Sequence, residues 1–277
     1  MNIRHPAVII GMFLIPMIVV LIPIVIGQMH GIRRKKKEVN MDTGSVGTVV
    51  ATTFALLAFM LAFTFQIVSN RYDKRKELLL EEVTNIRTTY LRSGLLPEPY
   101  RSENKKLLVE YIDVRAELAK DFSKSNFSMS RSREILDSLW NCAEVLAAQD
   151  RSSEVYALFT SSVNDLVDNF NQRVTMTFEY RIPAVVTWAL MIISFFSMLT
   201  LGYHFGISGK GSYRINLLIS VIFAMVMFLI FALDRPETGL ARLSQKPVLS
   251  LHEQLHKEYV KDVINNTADT VHIPILK

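Results

Sequence analysis

Two histidines and a glutamate have the spacing of a zinc site. His252, Glu253 and His256 match the pattern H-E-x-x-H, which on a helix puts both imidazoles on one face to hold zinc while the glutamate activates water. A catalytic zinc needs a third protein ligand. The candidates after His256 are Glu258, Asp262, Asp269 and His272. Because no extended metalloprotease motif follows, we predict no bound metal, no cofactor and no enzymatic activity, and His252 and His256 are the only candidates for metal ligands within this pattern. A membrane-bound zinc peptidase stays the alternative.

A second group lies in the uncharged stretch from Val49 to Ser69. Its members recur at helical spacing and are polar at both ends, with two bulky aromatic rings between them. They are Thr52, Leu56, Phe59, Phe63 and Gln66. In an oligomer such a stripe would line a pore whose hydrophobic constriction gates by dewetting. The alternative is that these side chains pack against other spans or lipid.

A neighbouring stripe of the same segment carries small residues. They are Gly47, Ala51, Ala55, Ala58 and Ala62. Small side chains at this spacing let another helix approach closely in lipid. We therefore predict a helix-packing face through which copies of the chain assemble.

An adjacent acid and base mark the end of the last uncharged stretch. Asp234 and Arg235 precede Pro236, and ionisable residues at a membrane boundary are functional candidates. The alternative is an anchor for the helix end, which the proline stops. We predict an ion pair that braces the mouth of the path.

These residues are positioned by four uncharged stretches, each long enough to cross a hydrocarbon core of roughly 30 Å as a helix. The stretches are Pro6–Gln28, Val49–Ser69, Pro183–Tyr203 and Ile215–Leu233. We therefore predict an all-α integral membrane protein with two spans before, and two after, a helical extramembrane bundle. The predicted division is 1–69 and 182–233 for the spans, 70–181 for the bundle and 234–277 for an amphipathic tail.

The bundle is predicted to grow out of the spans. From Thr48 to Ser93 the chain has no glycine or proline, so one helix should leave the membrane and continue into the bundle. A later apolar stripe, from Val155 to Val174, is expected to run into the third span at Pro183. We find no convincing strand.

Composition supports a membrane protein. Half of the 277 residues are hydrophobic, yet 21% are charged, and the net charge is only +5. That excess lies beside apolar segments, so it favours a membrane surface over nucleic acid. The basic residues of the short loops, Arg33–Lys37 among them, would put the bundle on the outer side of the membrane. The basic residues just past the second stretch favour the other side and leave the orientation open; they are Arg71, Lys74, Arg75 and Lys76.

Three short motifs, in this order, suggest a family. They are Arg71-Tyr72-Asp73, Leu95-Leu96-Pro97-Glu98-Pro99, and Asp234-Arg235-Pro236 with Gly239. Together they resemble a bacterial four-span family that is labelled bestrophin-like. The resemblance implies a homo-oligomer in the bacterial plasma membrane that conducts small anions, since bestrophins are oligomeric chloride channels whose second helix lines the pore. Phe59 and Phe63 are the counterparts of the aromatic neck.

The same resemblance disagrees with the loop charges on one point. It implies that the bundle is cytoplasmic, because the region between the two pairs of spans is cytosolic in bestrophins. The acidic calcium clasp of animal bestrophins is not recognisable. A non-conducting scaffold or sensor, whose bundle binds a partner, remains a further alternative.

Overall fold

The computed structural model describes residues 6–37, 43–209, 211–235 and 241–271. They form eight α-helices and a single 3-10 turn, Phe122–Lys124. The helices are α1 Pro6–Lys35, α2 Thr43–Ser93, α3 Tyr100–Lys120, α4 Ser125–Gln149, α5 Glu154–Phe178, α6 Ala184–Ser208, α7 Tyr213–Asp234 and α8 Lys246–Val271. None of the described residues forms a strand, so the all-α prediction is confirmed.

Four of these helices are long and apolar enough to cross a membrane. They are α1, α2, α6 and α7. Two precede and two follow the polar helices α3 to α5, which confirms the predicted two-plus-two order. Pro16 and Pro23 both lie inside α1.

Helix α2 is continuous for 51 residues, and the stretch from Thr48 to Ser93, which lacks glycine and proline, forms one helix as predicted. At about 1.5 Å per residue it is roughly 75 Å long. The predicted span, Val49–Ser69, lies towards the N-terminal end of α2. The helix ends at Ser93, and the N–H of Gly94 donates a hydrogen bond to the carbonyl of Leu91 at 3.1 Å.

The predicted continuity between the bundle and the third span is wrong. Helix α5 ends at Phe178 and α6 begins at Ala184. Pro183 disfavours helical geometry at the preceding residue, and the N–H of Ile182 donates to the Asp234 carboxylate at 3.0 Å. That N–H is thereby diverted from a helical partner.

The chain divides into two compact units. One holds Lys74–Glu179 and the chain from Leu243 onward, and the other holds Asn2–Asp73 and Tyr180–Arg242. The first unit has a core of apolar side chains from α2, α3, α4, α5 and α8. Its α8 contribution is Val248, Leu251 and Leu255. The predicted four-segment division stays a prediction, but this part of 234–277 shares a core with the bundle.

The second unit depends on close contact between α1 and α6. A Cβ atom added at Gly27 or Gly31 would overlap the α6 backbone, and one at Gly202 or Gly206 would overlap the α1 backbone. Both helices therefore use glycines four residues apart to bring their backbones together. Sequence analysis assigned small-residue packing to α2 and missed this pair, although the spacing is visible in the sequence.

Candidate functional site

Helix α2 presents its predicted pore stripe to the outside of the described chain. In the most apolar part of α2 only 6% of the residues are buried, against 28% in α1 and α6 and 33% in α7. The stripe residues are exposed: Thr52, Leu56, Phe59, Phe63 and Gln66. Phe59 is 65% and Phe63 is 51% accessible. This face of α2 points away from the core of the second unit and can contact lipid or another copy.

The two aromatic rings of this stripe are nearly parallel. Phe59 and Phe63 stack with ring centroids 6.4 Å apart and an interplanar angle of 12°. The Thr52 hydroxyl donates to the carbonyl of Thr48 at 2.9 Å, and the Gln66 amide donates to Asn70 Oδ1 at 2.6 Å. The stripe is therefore apolar in its middle and polar at each end.

The small stripe lies beside it and is exposed over most of its length. Ala51, Ala55, Ala58 and Ala62 are accessible, whereas Gly47 is half-buried near His204.

The opposite side of α2 packs inside its own unit. The Ser197 hydroxyl donates to the Thr53 carbonyl at 3.2 Å, and Leu57 is fully buried. One face of α2 thus fixes the helix and the other stays available.

The acid at the end of α7 contacts α2. The Asp234 carboxylate accepts from Arg71 Nη1 at 3.4 Å and from the Ile182 N–H at 3.0 Å. Arg235, the neighbour predicted to pair with it, is exposed, and this pairing stays a prediction. Two of the motifs that carry the family resemblance, around Arg71 and Asp234, therefore meet in space.

A charged cluster that sequence analysis missed lies inside the bundle. The Glu82 carboxylate is fully buried and accepts from Arg115 Nε at 2.8 Å, from Arg115 Nη2 at 3.1 Å and from the Tyr111 hydroxyl at 3.3 Å. Arg173 donates to the same carboxylate. Glu82 lies four residues from both Leu78 and Ile86, which are buried. This helical spacing puts Glu82 on the buried face of α2, and it was the sequence signal that could have identified the cluster.

The cluster determines the charge state of its acid. Burial by itself would raise the pKa of Glu82, but the positive charges of Arg115 and Arg173, with the Arg115 hydrogen bonds, hold that pKa below its ordinary value. The carboxylate is therefore ionised at neutral pH and joins α2, α3 and α5.

The two histidines of the H-E-x-x-H pattern meet an aspartate from another helix. Asp113 Oδ1 of α3 lies 2.9 Å from His252 Nε2 and 2.6 Å from His256 Nε2 of α8. Glu253 is exposed. Asp113 was not among the predicted third ligands, because α3 precedes α8 by more than a hundred residues and only the packing brings them together.

The predicted third ligands are otherwise engaged or not described. Glu258 accepts from Arg87, and Asp262 accepts from Lys105, each at 2.5 Å. The side chain of Asp269 and all of His272 lie outside the described residues.

The fold and these contacts define a multi-pass helical membrane protein with two spans on each side of a helical bundle. The chain belongs to the Bestrophin-like family, since its sequence matches the Bestrophin-like domain over residues 13–248. This confirms the resemblance carried by the three motifs. A search of curated proteins finds no match.

Solved structures share the fold. One variant of a bacterial bestrophin homologue from Klebsiella pneumoniae is 14% identical with a TM-score of 0.60, and the match covers 91% of this chain and 98% of that one. A second variant of the homologue is 16% identical with a TM-score of 0.59, at the same coverage. At such low identity the likeness concerns the fold alone.

Proposed function

We propose that the chain forms a homo-oligomeric channel in the bacterial plasma membrane and conducts small anions along α2. The observation that carries this proposal is the exposed double stripe of α2. Its aromatic and polar residues lie beside small residues, so one stripe suits a lining and the other suits contact with a second copy. The five stripe residues, from Thr52 to Gln66, would line the path.

The polar ends of the stripe argue against simple exposure to lipid. The Gln66 amide donates to Asn70 Oδ1 at 2.6 Å, but lipid tails offer no partner to the remaining donor and acceptor capacity of that amide. Around a shared axis, the same group would face water. Phe59 and Phe63 would then form the hydrophobic constriction, one helical turn deep, that controls wetting.

The family supports anions as the conducted species. Bestrophins are oligomeric chloride channels, and this chain shares their fold and domain. The contact between Arg71 and Asp234 at 3.4 Å would brace the α2–α7 end of the path, where Arg235 would also stand.

A flux assay tests the proposal. The purified chain is reconstituted in liposomes loaded with chloride, and efflux is followed with a chloride-sensitive dye. We expect efflux from the wild type, and faster efflux from Phe59→Ala and Phe63→Ala, because a wider constriction dewets less readily. Phe196→Ala is the matched control, since Phe196 is 56% exposed on α6 and should not alter the rate.

Two outcomes would count against the proposal. An intact oligomer that passes no small ion refutes conduction and favours a scaffold or sensor, whose spans would pack without an axial opening. Equal effects of the α2 and α6 substitutions would refute the assignment of the path to α2.

A further inference from the structure

Three potential ligand atoms converge at the contact between α3 and α8. Asp113 Oδ1, His252 Nε2 and His256 Nε2 all lie within 4.8 Å of one another, and the two imidazole rings have centroids 4.6 Å apart. We infer that this cluster binds one Zn²⁺ ion or a chemically similar divalent transition metal, and that the metal fastens α8 to α3.

The donor set and its spacing fit zinc. Two imidazoles and one carboxylate are a common zinc ligand set, and a tetrahedral site with bonds of about 2.0–2.2 Å separates its ligand atoms by roughly 3.3–3.5 Å. The distances from Asp113 Oδ1 to the two ring nitrogens are 2.9 and 2.6 Å. Side-chain rotations that open the first pair by about 0.4–0.6 Å and the second by about 0.7–0.9 Å would admit the ion.

The ligands are carried by helices that other contacts hold in place. Three α8 residues are buried in the bundle core: Val248, Leu251 and Leu255. His252 and His256 follow Leu251 and Leu255 directly in the sequence, and both contact Asp113 of α3. Two salt bridges, Arg87 to Glu258 and Lys105 to Asp262, add to this attachment. The histidines therefore reach Asp113 without any rearrangement of the backbone.

The ligands are also accessible to a metal from solution. The side chains of His252 and His256 are 30% and 41% exposed, and that of Asp113 is 45% exposed. Three protein ligands leave a fourth position for water.

The site does not follow from the family. The matched Bestrophin-like domain ends at residue 248, before both histidines. A metal here would connect the part of α8 that follows residue 248 to α3 inside the matched domain, so its role is attachment of α8. This inference does not depend on ion conduction.

Isothermal titration with zinc sulfate tests the site on the purified full chain, freed of any affinity tag. We expect one Zn²⁺ per chain for the wild type. The double substitution His252→Gln with His256→Gln, and separately Asp113→Asn, should weaken binding at least about tenfold, because each removes direct ligands. Glu253→Gln is the matched control and should bind like the wild type, since it changes the motif but no ligand.

A second measurement separates attachment from catalysis. Zinc should slow hydrogen exchange of the α8 backbone amides in the wild type and in Glu253→Gln, but not in the double histidine variant, whose folding is checked by circular dichroism. Equal zinc affinity in the double variant and the wild type would overturn the site. Unchanged α8 exchange, or zinc-dependent peptide hydrolysis that Glu253→Gln abolishes, would overturn the attachment role.

Discussion

Replacing Glu82 by glutamine should strongly destabilise the bundle. The substitution keeps the size of the side chain but removes the only carboxylate that contacts both Arg115 and Arg173 in the described structure. Breaking a buried ion pair by removing one partner costs about 3–5 kcal/mol, because the remaining charge is buried without compensation. The Arg115 side chain is 5% exposed and that of Arg173 is 18% exposed, so Arg173 can recover some hydration. We therefore expect a loss nearer to about 3 than 5 kcal/mol.

Urea unfolding in detergent can measure this loss. Trp140 packs against the bundle core, and a Trp188→Phe background leaves its fluorescence as the reporter of that unit. Glu117→Gln is the matched control, because Glu117 pairs with Lys124 where both side chains are about half exposed. Such a surface pair should contribute nothing measurable.

The same comparison predicts a pH dependence. The pKa of Glu82 is lower in the folded chain than its ordinary value of 4.5, so its contribution to stability is complete above the unfolded pKa. It is lost as the pH falls through the folded pKa. The difference between wild type and Glu82→Gln should therefore be constant near neutral pH and shrink below about 4.5. A Glu82→Gln variant as stable as Glu117→Gln at pH 7 would refute the reasoning.

Two further substitutions test packing in the two units. Gly202→Leu should prevent a monodisperse protein in size-exclusion chromatography, because its side chain would collide with the carbonyl of Ile24. Gly11→Leu should elute normally, since a Cβ there meets no described atom within 4 Å, and equal profiles would contradict the close packing of α1 and α6. Leu255→Ala, at a fully buried position, should cost about 2–5 kcal/mol in the urea assay. Val260→Ala, at an exposed one, should be nearly neutral, and a neutral Leu255→Ala would mean that α8 does not share the core.

The features that the sequence predicted well are those with a local cause. Long uncharged stretches require spans whatever their partners are, and the absence of glycine and proline from Thr48 to Ser93 permits one helix up to Ser93. The break before α6 also had a local cause in Pro183. The sequence analysis missed this break because it predicted that the apolar stripe of α5 continues as a helix up to Pro183.

The features that the sequence could not predict depend on contacts between distant helices. Nothing near His252 indicates Asp113, since α3 and α8 meet only through the bundle core. Nothing near Glu82 in the sequence indicates its two arginines, which come from α3 and α5. That the five α2 residues share one face follows from their periodicity, and this face is exposed in the described chain, but its role as a pore lining stays a prediction.

The glycines at the crossing of α1 and α6 also restrict motion. Sliding α1 along α6 by one residue would replace a glycine such as Gly27 with Ile26 or Gln28 at a place where backbone already touches backbone. The packing therefore resists any change in the register of α1 against α6. A rearrangement within the second unit would therefore meet less resistance at other helix contacts. The contacts of α2 come first among these, because α2 has the smallest share of buried residues of the four spans.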